Sequence, residues 1–90
     1  MLAKRVLYRK YAGYLYILNL NTTKSYLFEG IACDLMDYLS HTKSIAVQEI
    51  VAYVEENYEV ENPTQMREEI IDFVNFLQAE DILIGGKNYG

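Results

Sequence analysis

Cysteine, histidine and carboxylate side chains build most active sites, and this chain offers few of them in combination. Its one cysteine, Cys33, and its one histidine, His41, stand eight residues apart. A thiolate beside an imidazole could act as a nucleophile, but nothing nearby is spaced to orient such a pair. The plainer reading makes Cys33 a small packing residue on a helix and His41 a solvated residue of a link. A metal ion needs several Cys, His or carboxylate ligands converging, and one Cys with one His does not make a zinc site. Gly85-Gly86 is not a phosphate-binding loop. The sequence therefore supports no catalytic residue, no metal and no cofactor.

What remains is chemistry of binding. The chain has nine tyrosines, and five of them fall between Tyr8 and Tyr26. Aromatic residues favour strands and half-buried sheets, which is the simpler account. The sharper one is a set of rigid anchors for a peptide, with Tyr26 and Phe28 foremost because they lie in the last strand. The late acids, Glu68, Glu69, Asp72, Glu80 and Asp81, read first as a solvated helix face. Glu69 and Asp72 could also select a basic or N–H-rich ligand.

These residues need elements to hold them. Tyr14–Leu20 and Lys24–Phe28 are apolar runs joined by Asn21-Thr22-Thr23, the pattern of a β-hairpin. Alternation puts Tyr14, Tyr16, Leu18 and Leu20 on one face and Leu15, Ile17 and Asn19 on the other. Lys4–Tyr8 reads as an earlier strand of ambiguous face, with Ala12-Gly13 as the turn between. From Glu29 the period changes from two to about 3.6 residues. Helix 1 is expected over Gly30–Leu39, followed by the link Ser40-His41-Thr42-Lys43. Helix 2 is expected over Ala46–Asn57, with Ser44 as its N-cap. Helix 3 opens at Pro63 and ends near Glu80. Its buried stripe is Met66, Ile70, Phe73, Val74 and Leu77, with Ile71 and Phe76 on the flanks. Ile82-Leu83-Ile84 reads as a short strand or a packed tail. The expected fold is α+β and winged-helix-like: an N-terminal three-stranded antiparallel β-meander followed by three α-helices. It forms one domain over residues 1–84, with 85–90 as a flexible tail.

Length and charge set further bounds. Ninety residues, 51% apolar and 23% charged, suit one globular domain. No run reaches the ~20 apolar residues of a membrane helix, and the charged start is no signal peptide. A cytoplasmic protein without a membrane partner is the expectation. Net charge is −5, unevenly spread. Residues 1–33 carry Lys4, Arg5, Arg9, Lys10 and Lys24 against Glu29 alone. Residues 44–81 carry ten acids against one base, Arg67. A duplex-binding domain clusters bases on the element that enters the groove; here the helices are acidic. The rival reading, a winged-helix DNA-binding transcription regulator, is weakened by that, and no nucleic-acid partner is expected.

The chain resembles the PqqD-like proteins, the peptide-binding domains called RiPP recognition elements, from about Lys4 to Ile84. The residues that carry the resemblance are Asn19 and Thr22 at the hairpin turn and Tyr26-Leu27-Phe28 closing the strand. Ala32-Cys33, Leu35, Met36 and Leu39 follow in helix 1, and Val47, Glu49-Ile50-Val51 and Tyr58-Glu59-Val60 in and after helix 2. Glu69-Ile70, Phe73-Val74, Leu77 and Ile82-Leu83 complete the pattern, which is one of spaced hydrophobic residues. The family often has Gly where Thr23 and Asp81 stand, Asn where Glu29 stands and Thr where Ala46 stands.

The resemblance implies a non-catalytic peptide chaperone that needs no cofactor. Such a protein binds the leader of a ribosomally made precursor peptide. It presents the peptide to a modifying enzyme, such as a radical SAM maturase, a cyclase or a leader peptidase, and works as a monomer or weak dimer. The leader is expected to add as a strand along Lys24, Ser25, Tyr26, Leu27 and Phe28. The cleft would be closed by helix 3, through Glu69, Asp72, Phe73 and Phe76. Elementary physics points the same way. The last strand of a meander is an edge with unpaired N–H and C=O groups, and such an edge beside an apolar helix invites strand addition. Which side chains face that cleft depends on the register, which alternation alone leaves open.

Overall fold

The computed structural model describes residues 2–42 and 46–84. Six elements follow in order: β1 (Val6–Tyr11), β2 (Tyr14–Asn19), β3 (Lys24–Glu29), α1 (Ile31–His41), α2 (Val47–Asn57) and α3 (Pro63–Ala79). The strands form an antiparallel meander in the order β1-β2-β3. The helices cover the face that carries Leu15, Ile17 and Phe28, and those residues join α1, α2 and α3 in one core.

The choice of face has a physical cause. Leu15 and Ile17 have no polar atom and are buried, whereas the hydroxyls of Tyr14 and Tyr16 need partners and stay exposed. Asn19 shares the inner face and is fully buried. Its Nδ2 donates to the carbonyls of Glu80 (2.9 Å) and Asp81 (3.2 Å), and its Oδ1 accepts from the Asn21 amide at 2.9 Å. One satisfied buried side chain therefore ties the end of β2 to the C-terminus of α3.

The first strand differs from the expected Lys4–Tyr8. Lys4 and Arg5 form a turn, with Arg5 at φ 63°. The strand then runs on through Arg9 and Lys10, because Ala12 and Gly13 (φ 50° and 85°) make a two-residue turn that pairs Tyr11 with Tyr14. Charged residues are no obstacle on an edge strand.

Helix α1 begins after Gly30, which takes φ 63° and ψ −136°, and it continues past Leu39 to His41. His41 is thus a helical residue and not part of a link. Helix α2 starts one residue later than expected, with Ala46 at its N-cap position and no side-chain cap; Ser44 lies outside the described residues. Helix α3 starts as the sequence predicts. The Asn62 side chain accepts from the Gln65 amide at 3.1 Å and Pro63 sits in the first turn. Beyond α3 the chain is a packed tail. Ile82 and Leu83 are buried, and the Ala3 amide donates to the Ile82 carbonyl at 2.9 Å. The expected loose end, residues 85–90, lies outside the described residues. Among the described residues no helix is long and apolar enough to cross a membrane.

Candidate functional site

The β3 strand is one edge of the sheet, and its register decides what that edge offers. The two-residue turn makes Tyr11 and Tyr14 a hydrogen-bonded pair, and such pairs alternate along antiparallel strands. Even-numbered residues of β2 therefore bond to β1 and odd-numbered ones to β3. Two bonds at the strand end agree. The Leu20 amide donates to the Arg5 carbonyl at 2.9 Å, and the Asn19 carbonyl accepts from the Thr23 amide at 2.7 Å. With Leu15, Ile17 and Asn19 paired to Phe28, Tyr26 and Lys24, those three residues spend their backbone groups on β2. Ser25, Leu27 and Glu29 turn their N–H and C=O groups to the open side.

Side chains divide the opposite way. Lys24, Tyr26 and Phe28 stand on the inner face, toward α3; Ser25, Leu27 and Glu29 point outward. The backbone of α3 stands back from β3, and side chains bridge the gap. Tyr26 meets Phe76 edge-on with centroids 5.9 Å apart, and Phe28 meets Phe73 edge-on at 5.8 Å. Tyr26 and Phe28 stack along the strand at 6.4 Å. The result is an aromatic-floored groove running beside the free backbone of β3.

Both ends of the groove carry a carboxylate. At one end the Tyr26 hydroxyl donates to Glu80 Oε1 at 2.5 Å, and Lys24 Nζ reaches the same oxygen at 3.3 Å. Those bonds, Tyr26 first, hold the Glu80 carboxyl below its usual range. The bond to Glu80, helped by burial, pushes the Tyr26 phenol up to about 12. At the other end Ile31, Leu35, Val54, Met66, Ile70 and Phe73 line a mostly apolar cavity of about 230 Å³, with Glu69 at its wall. Glu69 also accepts from Gln65 Nε2 at 3.1 Å.

Most of the residues expected at the site are brought together. Tyr26, Phe28, Phe73 and Phe76 form the groove, and Glu69 marks its cavity. Asp72 is exposed and lies one turn before Phe76, outside the cavity wall. Ser25 and Leu27 can contribute backbone only. Sequence reasoning missed Glu80 as a groove residue, although it continues the Glu69, Phe73, Phe76 stripe by one more helical turn. It also missed Ile31 and Met66 as cavity walls, which only the approach of α1 to α3 creates.

Cys33 and His41 do not form a nucleophilic pair. They lie about two turns apart on α1, roughly 12 Å along its axis. Cys33 is 1% exposed, and burial pushes its thiol up, away from the reactive thiolate. His41 is exposed and its Nε2 meets the Tyr8 hydroxyl at 3.2 Å. Among the described residues no group of three His, Cys, Asp or Glu could hold a metal ion.

A small sheet with one open edge set against an aromatic helix face is the geometry that accepts an added strand. The chain belongs to the PqqD family: the family model described as "Coenzyme PQQ synthesis protein D (PqqD)" matches residues 15–83. A search of curated proteins finds no match. Among solved structures, "TbiB1 in Complex with the TbiA(beta) Leader Peptide" superposes with a TM-score of 0.83 at 17% identity, covering 97% of this chain and 98% of that one. At that identity the likeness is one of fold, and it spans the whole meander-plus-three-helix arrangement.

Proposed function

We propose that this chain is a non-catalytic recognition module for the leader of a ribosomally made precursor peptide. The leader binds as a fourth strand along β3 and is handed to a modifying enzyme, of the radical SAM, cyclase or leader-peptidase kind. The observation that carries this reading is the open β3 edge facing the Phe73–Phe76 face of α3. It is supported by family membership and by TbiB1, a protein of the same fold solved with a leader peptide.

The division of labour follows from the register. Backbone groups of Ser25, Leu27 and Glu29 pair with the leader whatever its sequence. Alternate leader side chains lie against the row of rings made by Tyr26, Phe28, Phe73 and Phe76, which supplies selectivity. A large apolar leader side chain fits the cavity beside Ile31 and Met66, with Glu69 available to an N–H or a cation at its wall. Micromolar affinity or better, about −8 kcal/mol or stronger, is expected. It should shift less than about tenfold between low and physiological salt, unlike duplex binding. A DNA reading is disfavoured by α3 itself, where Arg67 stands among Glu68, Glu69 and Asp72.

Hydrogen exchange with synthetic peptides copying the leaders encoded beside this gene tests the reading. The amides of Ser25, Leu27 and Glu29 should slow on binding. Protection confined to Tyr8 and Lys10 would move the site to the opposite edge. Specific duplex DNA binding with indifference to every such leader would end the proposal.

A further inference from the structure

The apolar cavity at the Glu69 end of the groove adjoins a second one of about 450 Å³, and the two share Ile31, Val54, Met66 and Glu69 as walls. The α2–α3 connector, from Tyr58 to Asn62, and Gln65 of α3 form the rest of the second cavity. Its floor is apolar. Val54 is buried and Met66 half-buried, while Ile31 is left 47% exposed at the first position of α1. Its rim is anionic. Glu59, Glu61 and Glu69 are exposed, and none is in an ion pair among the described residues. Arg67, the one base of α3, is not part of the lining. Helix α2 ends here at Tyr58 and α3 begins here at Asn62. Their partial charges are opposite and offset each other, so the carboxylates set the sign of the potential.

We infer that the second cavity holds a Lys or Arg side chain of the leader, two positions from the apolar residue that fills the first. The inference rests on the peptide reading and names the class of leader it selects, one with a cation beside its apolar anchor. Strand geometry sets the spacing: side chains two residues apart share a face and stand about 6.6 Å apart. That step carries the chain from one cavity to its neighbour. Beyond Glu29 the protein turns at Gly30 into α1, so the backbone ladder stops there and the leader's side chain makes the contact. Lys and Arg match both surfaces. Their aliphatic stems cover Ile31, Val54 and Met66, and their charged heads stay at the wet rim. An apolar chain would leave the carboxylates unmatched, and an acid would meet three like charges. Because the rim is open to water, the ion pair adds selectivity and only modest affinity.

Calorimetric titration of the full chain with synthetic copies of the leaders encoded beside this gene tests it. Hydrogen exchange at Ser25, Leu27 and Glu29 reads strand addition separately. The leader that binds should carry Lys or Arg two positions from its apolar anchor. Changing that base to Met should weaken binding about fivefold. The double variant Glu59→Lys, Glu61→Lys should bind the unchanged leader at least about tenfold more weakly. It should recover most of the loss with a leader whose base is changed to Glu. Glu55→Lys with Glu56→Lys alters net charge equally but lies outside the cavity, and should shift affinity less than about twofold. Slowed β3 exchange with a leader that lacks the base, or is indifferent to its loss, would overturn the inference and leave the peptide reading standing. No slowing with any leader would overturn both.

Discussion

The two edges of the sheet flank the same central strand and meet different helices through different chemistry. At β1 the inward side chains reach α1 by polar contacts. Tyr8 meets His41, and Lys10 Nζ pairs with Asp37 at 3.0 Å. The Lys10 and Asp37 side chains are 43% and 32% exposed, so the pair adds little stability. At β3 the inward side chains reach α3 through rings, with one polar latch at Glu80. An edge dressed with charges discourages strand pairing; an edge beside an apolar cleft rewards it. The difference teaches that an unpaired backbone is not enough for a binding site. Both edges have one, and in the proposed binding mode the wall opposite decides which is used.

Prolines on the two edges probe this contrast most directly. On β3 the amide of Leu27 points away from β2, so Leu27→Pro removes a docking donor and keeps the ladder. Leader affinity should fall about 100-fold, ~2.7 kcal/mol, with the circular dichroism spectrum retained. By the same alternation Tyr8 points its amide off β1, and Tyr8→Pro should change leader affinity less than about threefold. Equal losses from both would erase the distinction between the edges.

The β3 side also depends on Asn19 holding the end of α3 against the sheet. Asn19→Ala removes that buried tie and should cost about 2–3 kcal/mol in denaturant unfolding. A loss below that of an ordinary surface change would mean that α3 is held by apolar packing alone. A smaller effect is expected at Phe76, which is 42% exposed. Phe76→Ala should weaken leader binding about tenfold, with stability changed by less than about 1 kcal/mol. Parent-like binding by that variant would take the groove away from the Phe76 end.

Backbone strain gives a smaller signal. Thr23 and Asp81, where the resemblance leads one to expect Gly, both take left-handed backbone, at φ 62° and 58°. Thr23→Gly should stabilise by about 1 kcal/mol and Asp81→Gly by less, because Asp tolerates this region better. Thermal unfolding reads both, and a destabilised Thr23→Gly would contradict the account.

Acidity of the latch should matter least near neutrality. Glu80 is held low, so its contribution is present above the ordinary carboxylate range and fades only as pH falls through the lowered value. Tyr26 is raised, so its contribution is present below the ordinary tyrosine range and fades as pH climbs toward about 12. Leader affinity should therefore be flat from about pH 5.5 to 9 as far as this contact is concerned. In absorbance titrations, the parent minus Tyr26→Phe difference should show a phenol ionising near about 12. Adding Glu80→Gln should bring it back toward the ordinary tyrosine range. A late-ionising phenol that survives Glu80→Gln would place the cause elsewhere.

Much of the architecture was legible because it rests on local patterns. Pro63 marked the start of α3, because a proline loses no hydrogen bond at a first-turn position. The switch of period after Glu29 marked the passage from sheet to helix. The polar Asn21-Thr22-Thr23 step marked the hairpin. The errors also have local causes. The first strand, expected over Lys4–Tyr8, runs on through Arg9 and Lys10 because an edge strand tolerates charge. His41 looked like a link residue, yet α1 carries through it, and its ring contacts Tyr8 across the sheet edge.

By itself the sequence determined the element order and the apolar sets of each element, because these follow from composition and period along one chain. Only the tertiary structure decided which face of the hairpin is inside. Alternation is symmetric, and burial alone separates Leu15 and Ile17 from Tyr14 and Tyr16. The same register split the third strand between Tyr26 and Phe28, whose side chains line the groove, and Ser25 and Leu27, whose backbone forms its edge. It also brought Glu80 to Tyr26, fifty-four residues away. That meeting depends on where Asn19 anchors the end of α3, a contact no stretch of sequence contains.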